Sequence, residues 1–447
     1  MSDKVELSPD EQARKQRLAI FVASCISLVA TAMTFAIRGA ILDDLKADFT
    51  LDDTQLGWVG GAWAWGFAGA ILIGGPLCDT LKMGRIMMLA FIAHVAGVIV
   101  TIAAISLDTS IQFSVLFIAT LTVGIGNGLV EAAINPLVAT LYPKKKVGML
   151  NILHAWFPGG IVIGGLASYG INEAGINGLD LGALSLSQWQ LKMAILLVPM
   201  VVYGAMFALL KLPETERVQS GVSTAGMWKE AIRPAFILLV LCMMMTAATE
   251  LGPNTWITPI TERSIEGMAA AGILVLVWIN LIMAIARFFA GPIAHAISPP
   301  GMVTICAALA GIGVFLMSTA DSAFTSFAYA AIFAIGVSFF WPTMLGMTSE
   351  RFPRGGALLL GIMGAMGNVG VALITPGMGA IVDATGDPQA ALKYIAILPA
   401  ILVLVFGGIY LWDRSQGGYR IVELDTPAGE GGGLVGSGVE TPEEAPE

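Results

Sequence analysis

Runs of about twenty apolar residues, nearly free of charge, recur along this chain and limit what it can fold into. Hydrocarbon cannot hydrate a peptide group, so a segment that crosses a bilayer must satisfy its backbone internally, as a helix. A bilayer core takes roughly 20 apolar residues per helix. We place helices at about 18–42, 55–78, 85–106, 111–142, 147–171, 189–210, 232–260, 268–293, 301–320, 324–349, 355–382 and 389–412. That is an all-α integral membrane protein of twelve transmembrane helices. Only 12% of the 447 residues are charged, and the charges gather in short breaks between the runs. A soluble domain of this length carries about twice that share.

The basic residues set the expected orientation. Lys4, Arg14, Lys15 and Arg17, then Lys82 and Arg85, then Lys144, Lys145 and Lys146 fall in alternate breaks. So do Lys211, Arg217, Lys229 and Arg233, then Arg351 and Arg354, then Arg414 and Arg420. The positive-inside bias puts those breaks and both termini in the cytoplasm of a plasma membrane, the bacterial inner membrane. The N-terminal apolar run is too long for a cleaved signal peptide and reads as a retained first helix.

The break at 211–233 is the longest on that side. It divides the chain into a cytoplasmic N-terminal segment (1–17), a six-helix bundle (18–211), a linker (212–231), a second six-helix bundle (232–413) and a tail (414–447). Two bundles with a site between them is a transporter plan. The Gly- and Glu-rich tail reads as disordered. No basic stripe supports nucleic-acid binding. Cys25, Cys78, Cys242 and Cys306 are scattered, which suggests neither a disulfide framework nor a metal site. No nucleophile–base pair points to an enzyme. No cofactor is expected, with a proton gradient as the energy source, lipids as surroundings and a monomer as the state.

Glu131 carries the functional reading. It lies in GIGNGLVEAAINPLVATLYP (124–143), deep in the fourth span. An ionised carboxylate there must be paired, hydrated or protonated. A carboxyl so placed can load and unload a proton. Asn135, four residues on, shares its helix face, so the two offer a carboxyl and an amide to a hydroxylated solute. The alternative is a carboxyl locked in a fixed salt bridge. Glu250 and Asn254 repeat the i, i+4 arrangement in span seven, where Gly252-Pro253 is expected to break the helix and expose carbonyls. His154, Trp156 and Trp341 are further candidates for the wall of the site, since the apolar faces of a hydroxylated solute pack on rings. Interfacial anchoring is the alternative for the tryptophans, and packing for His154. Arg287 is expected to neutralise an acid or cap a helix. The spacings Gly124/Gly128 and Gly160/Gly164 are assigned to close helix contacts.

The runs V-E-A-A-I-N-P-L-V-A-T-L-Y-P and L-N-I-L-H-A-W-F-P-G-G resemble spans four and five of the fucose:proton symporter family, within the major facilitator superfamily. Ala286 to Gly291 is similar to that family's eighth-span signature, and Phe340-Trp341-Pro342-Thr343 to its tenth-span element. Ile362-Met363-Gly364, Pro376-Gly377-Met378-Gly379 and the stretch from Asp383 resemble its eleventh span and the loop beyond. The resemblance implies the superfamily fold and proton-coupled uptake of a sugar or similar small polar solute by alternating access. It implies a proton carrier at Glu131, with Asn135 and Asn151 in or near the site. The family's first span carries a second acid, whereas here Arg38 or Gly39 stands at that level and Asp43 and Asp44 come later. Arg38 is therefore assigned to coupling with Glu131, as a neutralising partner. Two other readings stay open: an organic anion bound by Arg38, or a proton-driven exporter of metabolites or drugs. Snorkelling of Arg38 to the outer headgroups is its plainest alternative.

The break G-G-P-L-C-D-T-L-K-M-G-R (74–85) is similar to the superfamily's cytoplasmic gate motif. Asp79 is expected to pair with Lys82, Arg85 or a helix N-terminus across the gap. The counterpart G-P-I-A-H-A-I-S-P-P (291–300) lacks the acid, so the gate is expected to be asymmetric.

Overall fold

A computed structural model describes residues 9–51, 53–180, 182, 185–266 and 272–424, and in it the apolar runs are α-helices. Residues 1–8 and 425–447, and with them most of the expected disordered tail, lie outside the described residues, as do the side chains of Asp43 and Asp383. The first half holds α1 (Pro9–Asp48), α2 (Asp53–Leu77), α3 (Met83–Ala103), α4 (Thr109–Leu141), α5 (Lys146–His154), α6 (Trp156–Glu173), α7 (Gln188–Ile195) and α8 (Leu197–Leu209). The linker forms α9 (Glu216–Gln219) and α10 (Thr224–Ala231). The second half holds α11 (Pro234–Ser264), α12 (Gly272–Arg287), α13 (Ala290–Ile297), α14 (Pro299–Met317), α15 (Ala323–Val337), α16 (Phe340–Arg351), α17 (Gly356–Thr385), α18 (Ala390–Ile395) and α19 (Ile397–Ser415). A two-stranded hairpin, β1 (Gly178–Asp180) with β2 (Ser185–Ser187), joins α6 to α7 on the face opposite the linker.

Ten helical stretches among the described residues are long and apolar enough to cross a membrane. An eleventh is α12 with α13, bent by 63° at the break between them. One of the ten, Gly61–Ser106, is 46 residues long. At 1.5 Å per residue it would run about 70 Å, twice a bilayer core. It is in fact two antiparallel arms. Along α2, Gly66 meets Leu121 and Gly74 meets Ala132; along α3, Gly97 meets Ala119 while His94 bonds Asn127. The chain turns at Lys82, whose φ of +70° is in the left-handed region. Counting α2 and α3 separately brings the potential crossings to twelve. Leu209 is 86% exposed and Leu404 77%, which suits a surface facing lipid and not water.

Glycines set the helix spacing. A Cβ on Gly124 would come within 2.2 Å of the Trp63 carbonyl oxygen, and one on Gly128 within 2.4 Å of that of Phe67. Gly160 and Gly164 seat α6 on Val29, Ala32 and Met33 of α1. Both spacings read from the sequence are thus close contacts, of the small-residue kind that lets membrane helices approach.

The halves meet along a seam. On the linker side, Gly75 and Gly361 bring α2 against α17, Gly346 seats α16 on Val147 of α5, and Gly148 faces Gly291 of α13. At the surface Trp156 of α6 packs edge-on against Phe288, 6.3 Å between centroids. Among the described residues the pair α1 and α11 shares no comparable packing.

Two expectations need correction. The helix does not break at Gly252-Pro253, since α11 runs unbroken from Pro234 to Ser264. Proline's φ is compatible with a helix and forfeits one bond; Gly252 packs against Ile374 and Met378 of α17 on the continuous helix. The tail is not disordered from Ser415. Tyr419 Oη donates to Glu350 at 2.7 Å, and the Val422 N–H to the Glu350 carbonyl at 2.9 Å, which ties 416–423 across the linker face.

Candidate functional site

At the centre of the seam a chain of hydrogen bonds joins α4, α5, α12 and α11. Glu131 is 3% exposed. Asn135 Nδ2 donates to its Oε2 at 3.0 Å and to its backbone oxygen at 2.9 Å, as two residues one turn apart on one face can. Asn135 Oδ1 lies 2.9 Å from His154 Nε2. An amide oxygen only accepts, so His154 holds its proton on Nε2 in this arrangement. The His154 carbonyl in turn accepts from Arg287 Nη1 at 2.7 Å. Arg287 Nε donates to the Ser338 carbonyl at 2.5 Å, and Nη2 pairs with Glu250 Oε1 at 2.8 Å. Arg287 also lies in electrostatic reach of Glu131.

Local chain breaks supply the acceptors. His154 ends α5, and Ser338 lies between α15 and α16. Pro158 and Pro342 stand four residues on from His154 and Ser338, so neither carbonyl meets the N–H that a helix would otherwise supply. The guanidinium is planar, with five donors in a fixed fork, and suits three acceptors on three elements. The helix interruptions beside this fork lie at 154–155 and 338–339, not at Gly252-Pro253.

Around this fork several buried polar atoms have no partner among the described residues: Glu250 Oε2, Asn151 Oδ1 and Trp341 Nε1. Asn151 Nδ2 is engaged, with the Val147 carbonyl and with Thr343 Oγ1 at 3.2 Å. Orphaned buried groups are uncommon and call for a physical reason. Here they leave donor and acceptor capacity unmet beside the fork.

The other expected site residues divide. Asn254 Nδ2 bonds the Glu250 carbonyl, and its Oδ1 accepts from Asn280 Nδ2 at 3.5 Å, a tie between α11 and α12. The Trp341 ring packs on Gly367. Trp156 lies apart from this cluster, 37% exposed at the seam's surface. Its neighbour Phe157, about 100° further round the helix, turns inward to meet Phe35 at 5.3 Å.

Arg38 does not pair with Glu131. Thr34 bonds Asn127, and α1 runs antiparallel to α4. Glu131 is one turn from that contact toward the linker and Arg38 one turn the other way, roughly 12 Å apart along the axis. Arg38 stacks instead over Trp63 at 4.5 Å and Phe35 at 5.3 Å. Among the described residues it has no ion pair. The cation that serves the two central acids is Arg287, which the sequence marked only as a neutraliser.

The linker face is closed by ion pairs, with partners other than expected. Asp79 accepts from Arg217 Nε at 2.8 Å and from Thr215 Oγ1 at 2.5 Å, both from the linker. Lys82 instead meets Glu214 at 3.3 Å on the surface, and Arg85 is exposed. Glu216 pairs with Lys146 at 2.7 Å, and Lys146 also donates to the Ser349 carbonyl across the seam. Glu350 Oε1 accepts the Val147 N–H at 3.3 Å, capping α5 from the opposite half. Sequence proximity favoured Lys82 and Arg85. The linker's path back over α2 was not readable, although Thr215, Glu216 and Arg217 were a polar cluster worth weighing.

The comparisons with known proteins agree with this architecture. The sequence model of the Major Facilitator Superfamily matches residues 23–299, more than half of the chain. The uncharacterized MFS-type transporter EfpA of Mycobacterium tuberculosis is 26% identical over 261 residues; the match covers 58% of this chain and 44% of that relative's length. Among solved structures, the transporter FucP in its outward conformation superposes with a TM-score of 0.73 at 17% identity, over 88% of this chain and 99% of that one. The proton:xylose symporter XylE gives 0.70 at 14% identity, over 89% and 96%. The human organic anion transporter MFSD10 gives 0.65 at 14%, over 88% and 99%. At such identities the structures speak for the fold alone. The family and these neighbours are transporters, not enzymes. The chain is a multi-pass membrane protein and belongs to the Major Facilitator Superfamily.

Proposed function

We propose that this transporter takes up a small hydroxylated solute, a sugar or close relative, together with protons, by alternating access across a bacterial inner membrane. Its linker face and both termini are assigned to the cytoplasm by the Lys and Arg bias. The observation that carries the reading is the bonded chain Glu131–Asn135–His154–Arg287–Glu250 across the seam. Protonation of Glu131 or Glu250 removes one anion from a guanidinium that serves both. A solute bridging the halves can then replace Asn135 or Glu250 as its neighbours' partner. Orphaned Oε2, Oδ1 and Nε1 atoms give hydroxyls places to bind. The closed linker face suits the state that loads from outside.

One observation favours a second reading, a solute that also bears an anionic group. Arg38 is stacked on two rings and lacks a carboxylate partner among the described residues. A guanidinium held this way is preorganised for a carboxylate.

A thermal-shift screen of the purified chain against neutral sugars, sugar acids and organic anions selects the ligand. Proteoliposomes given it on the outside then report substrate-driven alkalinisation of the medium. Glu131→Gln should keep solute counterflow and lose proton movement. Undiminished proton movement in that variant removes Glu131 from coupling. Efflux without uptake would instead identify an exporter.

A further inference from the structure

Beside the ion pairs of the linker face a cleft of about 770 Å³ opens between the halves, a size in the range of sites for small organic molecules. Met149 and Ile152 of α5 form one wall; Ile297, Pro299 and Tyr410 form the other. The tail crosses one end at Tyr419. At the floor the backbones nearly touch, since a Cβ on Gly148 would come within 3.1 Å of Gly291 Cα.

The charge of this cleft is lopsided. Lys144, Lys145 and Arg414 line it, and among the described residues none of the three has an ion pair or a side-chain hydrogen bond. The two acids that line it are engaged. Glu350 holds the Val147 N–H and the Tyr419 hydroxyl, and Asp413 pairs with Arg351. Three uncommitted cations thus rim a pocket whose walls are otherwise mostly apolar.

We propose that this cleft holds the phosphate headgroup of one anionic glycerophospholipid. The phosphate sits among Lys144, Lys145 and Arg414, and the acyl chains leave along the walls through the seam. A basic pocket between spans is the setting in which anionic headgroups bind. The apolar walls favour a lipid over a soluble phosphate, which would use the rim and leave Met149, Ile152 and Ile297 facing water. Because the cleft takes a wall from each half, the lipid binds the arrangement in which the linker face is closed and stabilises it by mass action. The inference is independent of which solute is carried.

Native mass spectrometry of the full chain in neutral detergent tests it. Phosphatidylglycerol, phosphatidylcholine and sn-glycerol 3-phosphate are offered separately. One phosphatidylglycerol per chain should be retained, at least about tenfold more tightly than phosphatidylcholine. Replacing all three cations, Lys144→Gln, Lys145→Gln and Arg414→Gln, should weaken it by about a hundredfold, as loss of three near-surface charges predicts. Ile297→Trp keeps the charges and fills the wall, so it should also expel the lipid, which guards against a misfolded triple variant. Equal retention of the two lipids overturns the proposal. So does undiminished binding by the triple variant, or glycerol phosphate bound as tightly as the lipid.

Discussion

Replacing Gly346 with leucine tests whether the linker face opens and closes at the crossing of α5 and α16. A Cβ at this position would stand 2.6 Å from Val147 Cγ2 and 2.8 Å from Val147 Cα. The methyl can rotate; the backbone carbon cannot, because the Glu350 cap and the Lys146–Glu216 pair fix α5. Overpacking of this kind costs about 1–3 kcal/mol. The strain exists only while the two helices touch, so it acts on the equilibrium between closed and open linker faces. That is a shift of roughly 5- to 150-fold toward the open form. Hydrogen exchange of the protein in nanodiscs reads it directly. Amides of 146–154 and 340–351 should exchange faster by that factor, with no acceleration on the opposite face. Gly159→Ala is the control, since nothing lies within 4 Å of a Cβ there. Unchanged exchange in a folded Gly346→Leu protein would mean that this crossing is not a moving contact.

Three further outcomes follow from the same geometry. Asp79→Asn leaves the Arg217 guanidinium buried without its anion, a loss of about 3–5 kcal/mol for a pair of this kind; the melting temperature should fall, and Lys82→Gln, on an exposed pair, should leave it within error. Glu250→Gln and Arg287→Gln should each abolish solute counterflow, yet the double variant should be more thermostable than Arg287→Gln alone, because that single change strands a buried carboxylate; a cycle that adds with no coupling would refute the pairing. Arg38→Gln should leave neutral-sugar binding in the thermal-shift assay intact and weaken any sugar acid by tenfold or more, as loss of a charge-assisted fork predicts.

The spans were legible because the bilayer enforces one rule on every residue of a crossing. Glu131 and Asn135 were legible too, as a local i, i+4 pair. What escaped was pairing between distant segments. Glu250 and Arg287 lie 37 residues apart, and the His154 carbonyl is 133 residues from the guanidinium it meets. Helical register hid the difference between Trp156 and Phe157, where one residue's rotation decides between the exposed edge of the seam and the inside of the first half. Composition misread Pro253, because proline's φ is compatible with the helix that runs on through it. Asp79 illustrates the same limit. Its nearest basic neighbours in sequence lost to Arg217, 138 residues on.

Two carboxyls and a single guanidinium make the midpoint of this molecule odd in charge. With Glu131 and Glu250 both ionised that trio sums to −1; with one proton aboard it sums to zero; with two, to +1. A low-dielectric interior penalises either excess, so the balanced state is the singly protonated one. An emptied centre that reorients with that proton aboard carries it back out, so net proton uptake requires a second proton that enters and leaves with the solute.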